Sequence, residues 1–406
     1  MSKNHSLNIG LFTDTYFPQI NGVATSVHLL QKELTAQGHN VYIFTTTDPR
    51  AKREPDIFRM PSMPLVFLPS HRVGLIYSPK ALLKIRKLKL DVVHTHSEFS
   101  LGIFGKIVSE SKNIPLVHTY HTLWEDYVHY VAGGHIITPK MARRFSRFFC
   151  NRARVVIAPT EKAENYLHNY GVERPIRVIP TGIDFAPFAP QSHSSQDIAD
   201  LKQSLGIPQN DHIMLSLGRI AKEKSMDVII NQMPKILEML PNTRLIIVGD
   251  GPAKVELGQL AKSLNISANV MFTGARPWSE IGKYYQLGDV FVNASLTETQ
   301  GLTYVEAMAA GLPVIAKFDT SIEKLVRNNE TGYTFHDDND LPQLVVNALT
   351  NKVERERITA TALSSIHHLS SQKYGQNVAK LYQEVISAYP GSSKSSRFVR
   401  LKTRRR

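Results

Sequence analysis

Short apolar runs recur along the chain at intervals filled by longer, helix-compatible segments. Residues 7–13, 41–46, 91–95, 115–119, 155–159, 176–180, 213–217, 244–248, 269–272, 289–293 and 313–316 all read as strands. Runs apolar at nearly every position suit strands buried on both faces, and intervening helices bring successive strands in parallel. The pattern restarts once. Residues 7–13 lead into a Gly-containing loop and a helix, and residues 213–217 do the same. Two doubly wound, Rossmann-like α/β domains facing a cleft follow, with ligands expected outside the carboxyl ends of the strands. The 406 residues are ample for two such cores. We place the first domain at residues 1–184, a Pro-, Ser-, Gln- and Asp-rich linker at 185–211 and the second domain at 212–371. A last helix at 372–390 and a basic tail at 391–406 complete the chain.

The candidate chemistry concentrates in Glu298-Thr299-Gln300-Gly301-Leu302-Thr303-Tyr304-Val305-Glu306 and the Ala307-Met308-Ala309-Ala310-Gly311-Leu312-Pro313-Val314-Ile315 that follows. Two carboxylates stand eight residues apart, one in a Gly-containing turn and one on a predicted helix. A helix starting near Gly301 would aim free N–H groups at the turn, which suits an anion such as a diphosphate. Leu302, Val305, Ala309 and Leu312 are expected to form its buried stripe, with Glu306 pointing out of it. Carboxylates beside an anion site make electrostatic sense when they accept hydrogen bonds from neutral hydroxyls, and a sugar supplies many. The stretch therefore reads as a nucleotide-sugar site. After strand 213–217, Gly218, Arg219 and Lys224 share one loop. Two cations there can reach one diphosphate and stabilise its departure without a metal. The Gly249-Asp250-Gly251-Pro252 turn reads as architecture.

These stretches resemble the E-x7-E signature and the G-R-x-x-x-E-K loop of the family 4 retaining glycosyltransferases, with Thr299-Gln300 where that family usually carries Pro-Phe. The resemblance extends along nearly the whole chain. It implies the two-domain GT-B fold, with the last helix crossing back onto the first domain. It implies that Arg219 and Lys224 grip the donor diphosphate and that Gly301 and Leu302 lie against the donor. Glu306 would bind the ribose hydroxyls and Glu298 the hydroxyls of the transferred sugar. Phe272-Thr273-Gly274-Ala275-Arg276 resembles the segment that holds the base through backbone groups.

On the acceptor side, Gly22 permits a tight loop between the first strand and a helix whose N-terminus can face phosphate, while the dinucleotide fingerprint G-x-G-x-x-G is absent. His121 matches the family's active-site histidine, whereas His118 reads as a structural strand residue. The stretch T-Y-H-T-L-W-E-D-Y-V-H-Y around His121 is similar to the branch of the family that glucosylates diacylglycerol in Gram-positive bacteria. That likeness implies transfer of glucose from UDP-glucose to the 3-hydroxyl of 1,2-diacylglycerol with the α configuration retained. The alternative is a transferase that adds a second sugar, glucose or galactose, to a glycolipid, or another transferase of the family.

Charge bears on the partners. The net charge is +13, and the tail from Gly391 carries seven basic residues and no acidic one. Such a chain attracts phosphates, and anionic lipid surfaces qualify. Lys80, Lys84, Arg86, Lys87 and Lys89 lie among Leu82, Leu83, Ile85 and Leu88. Met141, Phe145, Phe148 and Phe149 are expected to share one helix face ringed by arginines. Basic amphipathic helices can lie on anionic membranes. With no apolar run near the roughly 18 residues of a span, and no leader pattern at the start, we expect a peripheral protein on the cytoplasmic membrane face. No exposed-sheet pattern of aromatic and basic residues argues for nucleic acid. No cofactor is expected beyond the donor substrate. Asp338-Asn339-Asp340 reads as a solvated loop rather than a metal site, and the single cysteine, Cys150, excludes an intramolecular disulfide.

Overall fold

The computed structural model describes residues 6–19, 21–65, 68–74, 85–121, 138–296, 298 and 300–389. The chain divides into two compact units, one formed by residues up to Gly182 together with those from Ser371, the other by Ile183–Ser370.

The first unit is built on a parallel seven-stranded sheet. Its strands are β1 (Asn8–Phe12), β2 (Asn40–Thr46), β3 (Ile57–Met60), β6 (Val92–Thr95), β7 (Leu116–Thr119), β8 (Val155–Ala158) and β9 (Ile176–Val178), in the order β3-β2-β1-β6-β7-β8-β9. A separate antiparallel pair, β4 (Ser62–Leu65) and β5 (Leu68–Gly74), lies between β3 and β6 in the chain. Among the described residues, helices α1 (Gly22–Ala36), α2 (Ser100–Lys112), α3 (Pro139–Cys150) and α4 (Glu161–Asn169) accompany the sheet. Alternation along a strand explains why the runs are apolar throughout. On β8, Val156 and Ala158 enter one core while Val155 and Ile157 enter the other.

The C-terminal helix, Ser371–Ser387, belongs to this unit. Tyr374, Val378, Leu381, Tyr382 and Val385 join the core that also holds Leu30 and Leu34 of α1. Polar contacts fix its angle: Ser371 Oγ donates to Glu33 at 2.7 Å, and the hydroxyls of Ser26 and Tyr374 meet at 3.2 Å.

The second unit has a parallel six-stranded sheet of β10 (His212–Leu217), β11 (Thr243–Val248), β12 (Val270–Gly274), β13 (Val290–Asn293), β14 (Val314–Lys317) and β15 (Tyr333–Phe335), in the order β12-β11-β10-β13-β14-β15. Helices α6 (Met226–Met239), α7 (Lys254–Ser263) and α8 (Trp278–Leu287) accompany this sheet. The helix before them, α5 (Ser195–Ser204), corrects the expected linker at 185–211. Ser194 and Asp197 form a reciprocal capping box there, and Phe188 is fully buried against Tyr285 and Trp278. Composition rich in polar residues marked a helix start and its cap, not a loose tether.

In both sheets the strand order reverses, between β1 and β6 and between β10 and β13. The loops leaving those strands therefore diverge and open a crevice at the carboxyl ends.

Candidate active site

In the second unit, two loops approach each other through glycine. Gly249, at φ 147, would place a Cβ 1.9 Å from the Gly218 carbonyl oxygen, and a Cβ on Gly251 would stand 2.2 Å from that of Ile220. Only hydrogen fits at either place. Backbone bonds then lock the loops: Gly218 N–H to Val248 O at 3.0 Å, and Ile220 N–H to Asp250 O at 3.0 Å. This holds the segment that carries Arg219, which is exposed, and ends in a 3₁₀ turn at Lys222–Lys224.

That turn is tied to the segment after β13. Ser295 Oγ donates to Glu223 O at 3.3 Å, and Lys224 Nζ donates to Glu298 Oε1 at 2.6 Å. Both partners of the ion pair are half-buried. Gly301 adopts φ 70 and would drive a Cβ to 2.6 Å from the Tyr304 ring, so glycine is required to start α9 (Leu302–Ala309). The first turn of that helix leaves N–H groups that no helical carbonyl can accept. Arg219, Lys224, Glu298, Gly301 and Leu302 thus all lie on the segments flanking the reversal between β10 and β13.

Glu306 differs from expectation. It points inward: its side chain is buried, and Oε2 accepts from the Tyr285 hydroxyl at 2.7 Å. The helix is buried continuously from Tyr304 to Ala309, so no single stripe separates inside from outside. Burial pushes the Glu306 carboxyl up to about 7, against the hydrogen bond from Tyr285 that lowers it.

In the first unit, Asn21 caps α1 by accepting from Ala24 N–H at 2.9 Å, and the space above Gly22 is open. Asp14 bridges the strand-order reversal. It accepts from Ser97 Oγ at 2.5 Å, from Leu101 N–H at 3.1 Å and from Ser100 Oγ. Burial raises its carboxyl above the usual range, while those donors lower it.

His118 lies inside β7, fully buried, with Nδ1 at 2.9 Å from Thr95 Oγ1 and Nε2 at 3.4 Å from Glu98. His121 follows the end of that strand. Its Nε2 stands 3.0 Å from His96 Nδ1, and burial, then His118, push it down to about 3. His94, His96, Asp14 and Tyr285 went unnoticed in the sequence. Val92-Val93-His94-Thr95-His96 held the one available signal, two histidines two apart at a strand's carboxyl end.

Arg86, Lys87 and Lys89 are exposed, whereas Lys80, Lys84 and the tail from Gly391 lie outside the described residues. The expected face of α3 needs one correction. Phe149 turns inward with Ala142, Ser146 and Cys150, and packs edge-on against His118 at 4.8 Å. Met141 and Phe148 remain outside, 53% and 55% exposed, with Phe145 half-buried beside them. Asp338–Asp340 forms a 3₁₀ turn in which Asp338 pairs with Lys317 at 2.9 Å. Among the described residues no group of His, Cys, Asp or Glu is arranged to hold a metal. None of the described helices is long and apolar enough to cross a membrane.

The model for Glycosyltransferase Family 4 matches residues 20–186, and that for Glycosyl transferases group 1 matches residues 197–364. The chain is 38% identical over 382 residues to the alpha-monoglucosyldiacylglycerol synthase of Streptococcus pneumoniae, covering 94% of this chain and 86% of that one. The chain belongs to the family 4 glycosyltransferases. An alpha-monoglucosyldiacylglycerol synthase from Acholeplasma laidlawii is 35% identical, with 94% and 98% of the two chains covered. Among solved structures, Anabaena HepE in complex with UDP and glucose superposes with a TM-score of 0.75 at 19% identity, over 93% of this chain and 100% of that one. Sucrose-phosphate synthase from Thermosynechococcus elongatus gives 0.76 at 22% identity, over 94% and 100%. The glycosyltransferase thus has the GT-B fold of two Rossmann-like α/β domains.

The charges of the candidate site set out what it can do chemically. Arg219 and Lys224 offer two cations on one loop, and α9 adds N–H donors. Glu298 and Glu306 offer acceptors to neutral hydroxyls, one half-buried and already paired, the other inside the protein.

Proposed function

We propose that this enzyme transfers glucose from UDP-glucose to the 3-hydroxyl of 1,2-diacylglycerol, retaining the α configuration and making a membrane glycolipid. The observation that carries this reading is the 38% identity, over 94% of the chain, to a protein named for that glycolipid. Arg219 and Lys224 neutralise the diphosphate as the glycosidic bond breaks, which lowers the barrier where charge develops. Glu306 accepts from the ribose and Glu298 from the sugar. Gly301 and Leu302 let the start of α9 approach the donor. His121 hydrogen-bonds on the acceptor side, and Gly22 leaves the start of α1 open to it. No divalent metal is expected, because two cations on one loop would meet the leaving group.

The acceptor resides in a bilayer, so the enzyme works as a peripheral protein on the cytoplasmic face. The exposed Arg86, Lys87 and Lys89, together with Lys80 and Lys84, attract anionic lipid. The deciding experiment incubates the protein with labelled UDP-glucose or UDP-galactose and vesicles of diacylglycerol or of its monoglucosyl derivative. Product from UDP-glucose and diacylglycerol, with an α linkage in its NMR spectrum and undiminished by chelator, is expected. Product only from the glycolipid acceptor, or only from UDP-galactose, would replace this reading with that of a second-sugar or galactosyl transferase.

A further inference from the structure

A buried row of imidazoles crosses the carboxyl ends of β6 and β7. His94 and His96 stand two residues apart, so their side chains emerge on one face, and their ring centroids are 4.1 Å apart. His94 is pinned at both nitrogens. Nδ1 lies 2.6 Å from the Tyr382 hydroxyl on the C-terminal helix, and Nε2 lies 2.7 Å from Thr119 Oγ1. His96 rests on this fixed ring. On its other side His96 Nδ1 meets His121 Nε2 at 3.0 Å, the rings lying side by side with centroids 5.3 Å apart and planes 26° apart. His96 Nε2 is buried with no hydrogen-bond partner among the described residues.

Two neutral imidazoles that share one hydrogen bond hold one proton between them. Burial, reinforced by neighbouring imidazoles, keeps His94, His96 and His121 well below the ordinary histidine range, so all three are neutral near pH 7. Suppose His121 Nε2–H donates to His96 Nδ1. His121 Nδ1 is then an acceptor, and His96 carries its own proton on Nε2. In the reverse arrangement His96 Nδ1–H donates to His121 Nε2; each neutral ring then has its single proton on Nδ1, so His121 offers Nδ1–H while His96 Nε2 becomes the acceptor. In either arrangement both rings carry the same tautomer, and the state of His96 dictates what His121 presents.

We propose that His96 is the positioning residue for His121: through the shared hydrogen bond it sets the ring plane and the tautomer with which His121 meets the substrates. His96 in turn is held by the fixed His94. The proposal rests on the transfer reaction above only for its kinetic test.

Two measurements test it. In protein labelled with ¹⁵N-histidine, the signals of the two rings are assigned by comparing H96A and H121A variants. His96 and His121 are expected to report the same tautomer, and His121 is expected to average between tautomers in H96A. Opposite tautomers, or a His121 signal unmoved in H96A, would overturn the inference. In turnover assays H96A should lose roughly ten- to a hundredfold in kcat, with little change in KM for the donor, as displaced groups do. Asparagine places a polar atom near the former Nδ1, so H96N should retain most of the rate. H96Q, which reaches the Nε2 position instead, should resemble H96A and stands in for it if alanine prevents folding. H96N as slow as H96A, or H96A at full rate, would count against the shared bond. Wild-type protein that glucosylates no diacylglycerol overturns the proposed reaction alone, and the tautomer spectra still decide this one.

Discussion

Lys224 Nζ and Glu298 Oε1 stand 2.6 Å apart, joining the loop after β10 to the turn after β13 across the reversal of strand order. Neither group is fully exposed, with side-chain accessibilities of 23% and 12%. Each therefore restricts where the other points. Under the proposed assignment, a donor diphosphate that engages Lys224 would share that cation with Glu298 and so bring that carboxylate to the leaving group.

Removing either charge should therefore disturb both functions. Arg219→Ala, Lys224→Ala and Glu298→Gln are each expected to lower transfer by roughly 10²–10³-fold, with the fold intact by circular dichroism. Lys224→Ala and Glu298→Gln should be non-additive, because the two groups touch. Turnover and UDP affinity of the double mutant beside the two single mutants measure that coupling. Full additivity would mean that the pair does not persist in solution.

Gly251 touches no proposed substrate group, yet Gly251→Ala should weaken donor binding. Its new methyl would enter the Ile220 carbonyl, 2.2 Å away, and force the loop that carries Arg219 and Lys224 to shift. Overpacking of this kind costs about 1–3 kcal/mol in stability. Isothermal titration with UDP and a thermal melt read the two effects separately. Unchanged UDP affinity beside a lowered melting temperature would show that the two loops move independently.

How legible this was in the sequence varies from residue to residue. The strands buried on both faces announced themselves, because their apolar runs have no solvent side to encode. β3, β15 and the β4–β5 hairpin did not. β15 is three residues long, and β3 carries Arg59 within four. Lys224 and Glu298 were each readable as site residues, but their pairing is a tertiary fact. Glu306 was misoriented because a helix buried on all sides carries no amphipathic stripe from which to read direction. His94 and His96 stayed hidden since histidine in an apolar strand gives no local sign of its partners. Tyr382, which pins His94, lies 288 residues further along the chain.

Glu306 gives a pH signature. In the folded protein its carboxyl sits at about 7, against an ordinary 4.5, so it keeps a proton that the unfolded chain has released. Below pH of about 4.5 both states are protonated and the group contributes nothing. From there to about pH 7 the folded state binds more protons, so stability falls as pH rises. Above that the full loss persists, on the order of 3 kcal/mol. Glu306→Gln removes the titration while still accepting from Tyr285. The variant should match wild type near pH 4.5 and exceed it at pH 8 by about that amount in urea unfolding. UDP affinity should rise from pH 6 to 8 in wild type, as the carboxylate forms to accept ribose hydroxyls, and stay flat in the variant. Parallel pH profiles for the two proteins would assign the titration to another group.

The proposed membrane face offers a last test, because its apolar and cationic parts are separable. On α3, Met141 and Phe148 are exposed, and the Arg152 guanidinium lies 3.3 Å over the Phe148 ring. Phe99 stacks on Phe145 at 5.8 Å and extends the apolar patch. Arg86, Lys87 and Lys89 are exposed elsewhere in the same unit. A basic residue near an anionic surface contributes about 1 kcal/mol, so replacing those three with Ser should weaken vesicle binding about a hundredfold at low salt. That loss should shrink at high salt, where the wild type is itself screened. Met141→Ser with Phe148→Ser instead removes apolar area that lipid insertion would bury, so its deficit should persist at high salt. Neither set touches Arg219, Lys224 or the glutamates, and both should bind UDP normally. Sedimentation with vesicles of neutral and anionic lipid at two salt concentrations separates the terms. A Met141/Phe148 variant that sediments as wild type would remove α3 from the membrane face and leave the basic residues to hold the enzyme alone.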